Sequence, residues 1–434
     1  MQKTLQMKRV LRTAVLVLLL GAVGTTKMYA SFDFSAVCET GQTLYYNIID
    51  ANNHYVELTY PGTDYYNGWS GFNEPSGNIV LPDKVQYTNV TYSVSKIGNY
   101  AFYSCHNLTG SLTIPNSVTT IGNDAFHFCS GFTGALTIPN SVTTIGDAAF
   151  CKCSCTGNLN IPNSVTSIGE YAFALCYNFT GDLTIPNSVT TLGMMAFSSC
   201  DGLTGNLTIS NSLTTISPCT FQHCNGLTGN LTIPNSVTTI GFSAFKNCSG
   251  FTGSLTLPNS VITIEFNAFA GCSGLTGSLT IPNSLTTIGD YAFSDCSGIT
   301  SVTSLATAPP TLAAEAFSGI SCDTLTVLCR CIPAYEASDW HNYFPTITED
   351  CTGLEEADEN IISIYPNPST SKLKIEAEDI KHITISNILG QTVFEGNASG
   401  DTFEYNFGKH DSGLYLIKIE TANGMATKKI SVVR

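Results

Sequence analysis

Charge is scarce in the longest part of this chain. Between residues 100 and 300 there are two lysines and eight acids. Such a stretch has no basic patch for nucleic acid, and its surface must be built from Ser, Thr and Asn. The formal net charge is −15, and the first 30 residues hold five of the 18 basic residues and no acid, so the remainder carries 13 − 33 = −20. A protein this acidic does not grip nucleic acid or an anionic membrane by its field. Long hydrophobic runs are missing too. The run Ala14 to Val23 is too short to span a bilayer, which takes about 20 residues. No other segment is apolar enough to span, so no transmembrane segment is expected once that leader is removed. His-Glu-x-x-His, Gly-x-Ser-x-Gly and phosphate-loop patterns are absent. The histidines (His54, His106, His127, His223, His341, His382 and His410) are scattered. No catalytic site, cofactor or metal is therefore expected, and the chain does not read as an enzyme.

The first 30 residues read as a secretory signal peptide. Lys3, Lys8, Arg9 and Arg12 precede the apolar run, and Met28-Tyr29-Ala30 ends it, with a cut after Ala30. No cysteine follows the run directly, the first being Cys38, so a lipid anchor is not expected.

What the chain has in abundance is one repeated unit. Phe recurs at Phe102, Phe126, Phe150, Phe173, Phe197, Phe221, Phe245, Phe269 and Phe293, and a cysteine follows three residues after each. The step is 24 residues except for one of 23. A fixed period of this size marks a solenoid, in which each coil buries its apolar edge only against its neighbours. The unit reads L-T-G-x-L-T-I-P-N-S-V-T-T-I-G-x-x-A-F-x-x-C-x-G, and LTIPNSVTTIG occurs letter for letter at 112–122, 136–146 and 231–241. Leu112-Thr113-Ile114 alternates, which predicts a short strand ended by Pro115-Asn116-Ser117. Val118 to Ile121 is a candidate second extended piece, and Gly122 allows a tight turn. Asp124 to Cys129 has room only for a helical or 3₁₀ turn. Stacked strands sit about 4.8 Å apart, so ten coils would span roughly 50 Å. Both ends of such a sheet need caps. Residues 31–95 lack the repeat and are rich in aromatics, which makes them the N-terminal cap segment, and Ile79-Val80-Leu81-Pro82 already resembles the unit's strand. The repeats are expected over 79–350, closed by Tyr335, Trp340 and Phe344.

The pattern I-P-N-S-V-T-x-I-G-x-x-A-F-x-x-C resembles the BspA-like leucine-rich repeat. The resemblance implies a curved, β-rich solenoid of parallel stacked strands. It also implies a bacterial cell-surface protein, often an adhesin for host proteins or other bacteria. Ser210 in place of the strand-ending Pro and Glu265 in place of the turn Gly are local departures.

Residues 351–360 are acidic and read as a linker. After them, short alternating runs separated by turn residues predict a small Ig-like β-sandwich over 361–434. Tyr365-Pro366-Asn367-Pro368, Gly413 with Tyr415, and Lys428-Lys429 follow in an order that resembles the C-terminal sorting domain of the type IX secretion system. That resemblance implies a member of the Bacteroidota, interaction with the type IX machinery, and passage across the outer membrane to the surface or into the medium. It further implies removal of the domain. The other reading, an Ig-like domain that stays in place, has only fold class behind it.

Seventeen cysteines in an exported chain suggest disulfides. Nine of them, however, occupy one inward place per coil, where a thiol fills core space as a small apolar group. Cys322, Cys329, Cys331 and Cys351 lie outside that ladder and are the disulfide candidates, with connectivity open. Cys151, Cys153 and Cys155 do not complete a zinc set, because no second pair supplies four ligands. Acids in the repeats (Asp124, Asp147, Glu170, Asp290) read as solvated loop charges. Residues that vary between coils, Tyr103, His127, Tyr171, His223 and Tyr291, are the candidate ligand anchors on a polar field. The expectation is therefore a secreted or outer-membrane-surface adhesin. Its partner is a host extracellular-matrix or cell-surface protein, a glycan or a partner bacterium, bound through the extended face. The rival is a structural or antigenic display protein without a dedicated ligand.

Overall fold

The computed structural model describes residues 32–64, 67–351, 362–387, 391–421 and 424–433; the leader 1–30 and residues 352–361 lie outside them. Two compact units result, Met1–Gly229 with Ser243–Phe251, and Asn230–Phe242 with Thr252–Arg434.

In the first unit the aromatic segment forms an antiparallel cap. Phe34–Val37 pairs with Thr43–Asp50, which pairs with Tyr55–Thr59. Alternation turns Phe34, Leu44, Tyr46, Val56 and Leu58 inward. Tyr55–Thr59 then takes a parallel partner, Val90–Ile97, and the sheet changes from antiparallel to parallel there. Thr120–Ile121, Thr144–Ile145, Ser167–Ile168 and Thr191–Leu192 follow in parallel, with Ile97, Ile121, Ile145, Ile168 and Leu192 in register. The 23-residue step causes no slip here. It is absorbed before Cys155, which is buried in the place that Phe132 and Phe179 fill elsewhere.

The leucine strand begins earlier than its sequence suggests. It runs Leu108–Thr113 and pairs with Phe132–Thr137, while Gly77–Asn78 lies against its start. Leu108 and Leu112 point inward, and Thr109, Ser111 and Thr113 point outward. Leu108 and Leu112, four residues apart, share the inward face by simple alternation, and the register shifts between Gly110, at φ 77°, and Leu112.

The Ala-Phe-x-x-Cys segment is not a helical turn. Residues two before and two after each Phe take left-handed conformations, for example Tyr100 and Ser104 around Phe102. Alternate N–H groups therefore point along the stack. Tyr100, Phe102 and Ser104 donate to the carbonyls of Asn123, Ala125 and His127 at 2.9, 2.8 and 2.8 Å. The intervening Ala101, Tyr103 and Cys105 donate back to Gly98, Tyr100 and Phe102 of their own coil. The pattern repeats coil by coil, so this buried backbone pairs fully along the segment.

Phe rings stack inside it. Phe102–Phe126, Phe126–Phe150 and Phe150–Phe173 have centroids 5.1, 5.4 and 5.4 Å apart and nearly parallel planes. Each ladder thiol does more than fill space. Cys129, Cys153, Cys176 and Cys200 donate to the carbonyls of Phe102, Phe126, Phe150 and Phe173 in the preceding coil, at 2.9–3.1 Å. The same carbonyl also accepts the backbone N–H of its own coil's cysteine, as in Cys129 to Phe126.

Gly122 is needed for closeness, not for a left-handed turn. A Cβ there would stand 2.5 Å from Asn99 Oδ1 and 2.7 Å from the Asn99 backbone nitrogen. The repeat acids are not merely solvated either. Asp147 Oδ1 and Asp290 Oδ1 each accept a backbone N–H of the next coil, at 2.8 and 2.7 Å, as the amide Oδ1 of Asn123 does at 2.9 Å. Glu265 replaces a glycine, and its carboxylate accepts the Phe242 N–H at 2.9 Å.

In the second unit the same ladders run through Thr239–Ile240, Thr263–Ile264, Thr287–Ile288 and Thr311–Leu312. Phe269, Phe293 and Phe317 stack at 5.2 and 5.3 Å. A helix, Ile332–Glu336, and a 3₁₀ turn, Asp339–Asn342, close the repeats. Trp340 is fully buried, lies 5.4 Å from Phe317 and donates to the Pro310 carbonyl at 2.8 Å. Tyr335 donates to the Ala306 carbonyl at 2.9 Å. Of the disulfide candidates, Cys329 and Cys351 are bonded, joining the ends of Thr324–Leu328 and Thr346–Asp350. Cys322 and Cys331 remain thiols.

The C-terminal segment forms two antiparallel sheets. One joins Ser363–Tyr365, Lys372–Glu376 and Thr402–Asn406; the other joins Thr392–Asn397, Ile380–Asn387, Gly413–Thr421 and Gly424–Val432. Leu373, Ile375, Ile383, Ile385, Phe407 and Ile417 contribute to one shared core.

Candidate functional site

The strand face of the first unit carries three outward columns. Thr109, Thr133, Thr156, Thr180 and Thr204 form one, and Ser111, Ala135, Asn158, Asp182 and Asn206 the middle one. Thr113, Thr137, Asn160, Thr184 and Thr208 form the third, with Asn116, Asn140, Asn163 and Asn187 beyond it. Asp182 is the only charge among these positions. Several side chains of the first two columns are spent on the fold. Thr156 Oγ1 donates to the Thr133 carbonyl, Ser111 Oγ accepts from Ala135 N–H, and Asp182 Oδ1 accepts from Asn206 N–H. At the N-terminal coils a groove of about 750 Å³ opens beside the third column. Ile114, Pro115, Ile138 and Pro139 line it, with Thr113, Thr137, Asn116, Asn140 and Asn160. Sequence reasoning passed over these residues because they hardly change between coils. The signal available was their outward phase beside an inward Leu-Ile pair.

The five variable candidates do not form one patch. Tyr103 and His127, on successive coils, pack edge to face at 5.3 Å. His127 Nδ1 is 2.6 Å from Asp124 Oδ1, and its ring stacks on Phe128 at 4.2 Å. Lys152 covers Phe128, 4.9 Å from the ring centroid. These rings are half-buried and largely occupied by one another. Tyr171 is 36 % exposed, on the same coil as Tyr177 at 48 %. His223 Nδ1 lies 3.4 Å from Asn247 Nδ2. Tyr291 belongs to the second unit, where it packs on Phe266 at 6.1 Å. Phe266 is 47 % exposed and Phe242 41 %, an apolar pair that was not among the sequence candidates.

The ladder cysteines are buried thiols. Burial pushes the thiols of Cys151 and Cys224 up to about 12 and raises Cys153 well above its ordinary value, so they stay protonated. The one grouping with metal-like spacing among the described residues, Cys329, Glu349 and Cys351, has both thiols in a disulfide. Glu349 Oε2 accepts the Arg330 N–H there at 2.7 Å.

In the C-terminal module, motif residues 62 and 64 positions apart in sequence meet. Asn367 Nδ2 donates to the Lys429 carbonyl at 3.3 Å, and its Oδ1 accepts the Ser431 N–H at 3.0 Å. Tyr415 is buried, packs on Phe407 at 5.0 Å and donates to the Asp411 carbonyl at 2.9 Å. Gly413 opens that strand opposite Val432. Tyr365 is exposed beside Lys374, and Pro366 and Pro368 bracket Asn367. Lys428 and Lys429 lie opposite Ile417 and Leu416 on the last strand.

Compared with known families, residues 95–228 and 226–332 match the BspA type leucine-rich repeat region, in six copies. The chain belongs to the BspA-type leucine-rich repeat family. Residues 363–433 match the secretion system C-terminal sorting domain. This BspA-type chain is thus exported by type IX secretion to the outer-membrane surface. It is similar in fold to a leucine-rich repeat protein from Bacteroides ovatus, at 27 % identity and TM-score 0.56, over 68 % of this chain and 71 % of that one. A leucine rich cell surface protein from Faecalibacterium prausnitzii is 21 % identical at TM-score 0.45, over 76 % of this chain and 97 % of that one. An endo-acting ulvan lyase from Formosa agariphila is 32 % identical over 76 residues, 17 % of this chain and 15 % of the lyase. The chain spans under a sixth of that curated relative. Among the described residues no helix is long and apolar enough to cross a membrane.

Proposed function

We propose that this protein is an adhesin that holds an extracellular partner on its repeat face while displayed at the outer membrane. The partner is a host matrix or cell-surface protein, a glycan or a neighbouring bacterium. One observation carries the reading. The outward Thr113–Thr208 column is exposed, regular and mostly unspent on the fold, in a chain whose sorting domain delivers it to the surface. Within the first unit the exposed ring of Tyr171, with Tyr103, His127 and His223, supplies candidate anchors, and within the second unit Tyr291 with Phe266 does. The sorting module acts as a small Ig-like sandwich that is removed on arrival.

A strain lacking the gene, compared with its complemented parent, tests this. Loss of attachment to host matrix, host cells or partner bacteria on deletion, restored by the gene, is the expected result. Unchanged attachment on every surface would favour the display reading, which the letter-for-letter identity of 112–122, 136–146 and 231–241 also motivates.

A further inference from the structure

We propose that the groove beside Thr113 and Thr137 is a binding site for a neutral, linear polysaccharide lying along the stack. This rests on the adhesin reading and names the partner's class. Three observations point to it. First, the polar groups at the groove are unspent. The hydroxyls of Thr113 and Thr137 and the carboxamides of Asn116, Asn140 and Asn160 are exposed and make no hydrogen bond to other described residues. In the neighbouring columns Thr156, Asp182 and others do bond within the fold.

Second, the groove is amphipathic in the sense a sugar ring needs. Val80, 42 % exposed, is the accessible part of an apolar floor otherwise formed by the buried Ile114, Pro115, Ile138 and Pro139, and the Thr and Asn rows give it rims that donate and accept. A pyranose has apolar C–H faces and hydroxyl edges, so the faces meet the floor while the edges meet the rims. An Asn carboxamide offers two donors and an acceptor, and a Thr hydroxyl one donor and two lone pairs, which suits neighbouring hydroxyls. A folded protein partner would more naturally seek a large aromatic anchor, and none lines this groove.

Third, charge selects. Asp83, at one end, is the only charged residue lining the groove, and the chain beyond its leader carries −20. An anionic polymer would be repelled and a cationic one would find no row of carboxylates. A neutral polymer meets neither obstacle. The rows repeat at the strand spacing of about 4.8 Å, so a linear chain can engage successive coils with equivalent groups.

The test is electrophoretic retardation of residues 31–434 in native gels containing pullulan, glucomannan or hydroxyethylcellulose, with pectin as the acidic control. The variants are Thr137→Val with Asn140→Ala, both exposed, and Thr402→Val, exposed on a strand of the sorting module. Circular dichroism checks that each folds as wild type. Retardation by at least one neutral polymer, weakened about tenfold or more by the double variant and unchanged by Thr402→Val, is expected for two lost hydrogen-bonding groups. No retardation by any neutral polymer, retardation indifferent to the double variant, or stronger retardation by pectin would each overturn the inference. If the gels are blank while gene deletion still abolishes attachment to a protein surface, the polysaccharide falls and the adhesin stands. If attachment is also unaffected, both fall.

Discussion

At the residue scale, a phenylalanine and a cysteine three places on do most of the structural work in each coil. Phe173 is fully buried between Phe150 and Phe197, at 5.4 and 5.3 Å. Phe173→Ala leaves a cavity that neighbouring coils cannot collapse into, and should cost about 3–5 kcal/mol. The midpoint of urea unfolding reads this directly. The thiols set an alkaline limit. Cys224 and Cys296 are pushed from 9.0 up to about 12, chiefly by burial. The unfolded chain therefore releases these protons first. Their contribution is intact below about pH 9 and is lost as pH rises toward 12. Unfolding midpoints taken from pH 8 to 11 should fall steadily, and Cys224→Ala should flatten that slope. The inward phase of both residues was legible, because they recur at one place in every unit. The thiol-to-carbonyl bond was not, because spacing alone does not say which coil a donor reaches.

At the element scale, the coils touch through backbone, and this is what the glycines record. A Cβ at Gly193 would stand 2.3 Å from the Glu170 backbone nitrogen and 2.4 Å from the Gly169 carbonyl carbon. Gly193→Ala should destabilise by about 1–3 kcal/mol, as overpacking does, with the loss again visible in denaturant midpoints. Sequence reading placed a turn at these glycines correctly but ascribed it to conformation, since a glycine tolerates both roles. The Ala-Phe-x-x-Cys segment misled for a related reason. Six residues look like a helical turn until one sees that alternating handedness lets each N–H pair along the stack or back within the coil. In the sorting module, Asn367→Ala removes both bonds to the last strand. It should lower the melting temperature of the module by several degrees, read by calorimetry, with each lost bond worth about 1 kcal/mol.

At the scale of the whole molecule, most of the architecture could be read in advance. Solenoid, aromatic ends and sorting module all follow from one period and a few motifs. What could not be read was the division of the outward surface into spent and unspent columns. Thr156 and Asn160 sit four residues apart and both face outward, yet the Thr156 hydroxyl donates to the Thr133 carbonyl of the preceding coil, while the Asn160 carboxamide makes no bond to other described residues. A chain ending at residue 362 lacks the sorting module and should accumulate inside the outer membrane, with none on intact cells by surface proteolysis or antibody labelling.

The left-handed residues beside each Phe bear on how such a protein can change its specificity. In ten coils, from Tyr100 and Ser104 to Glu315 and Gly319, the twenty flanking positions hold Tyr, Asp, Ala, Met, Cys, Ser, Asn, Glu, Phe, Lys, Leu, His and Gly. Val, Ile and Thr never occur there, although Thr fills column after column elsewhere. A branched Cβ is poorly tolerated in that conformation, whose cost is already about 1–2 kcal/mol for an ordinary side chain. Mutation can therefore reshape this edge only through an alphabet without branched residues. Ring, amide and charge can replace one another freely there, and a drift toward the threonine of the neighbouring columns meets a conformational barrier at every coil.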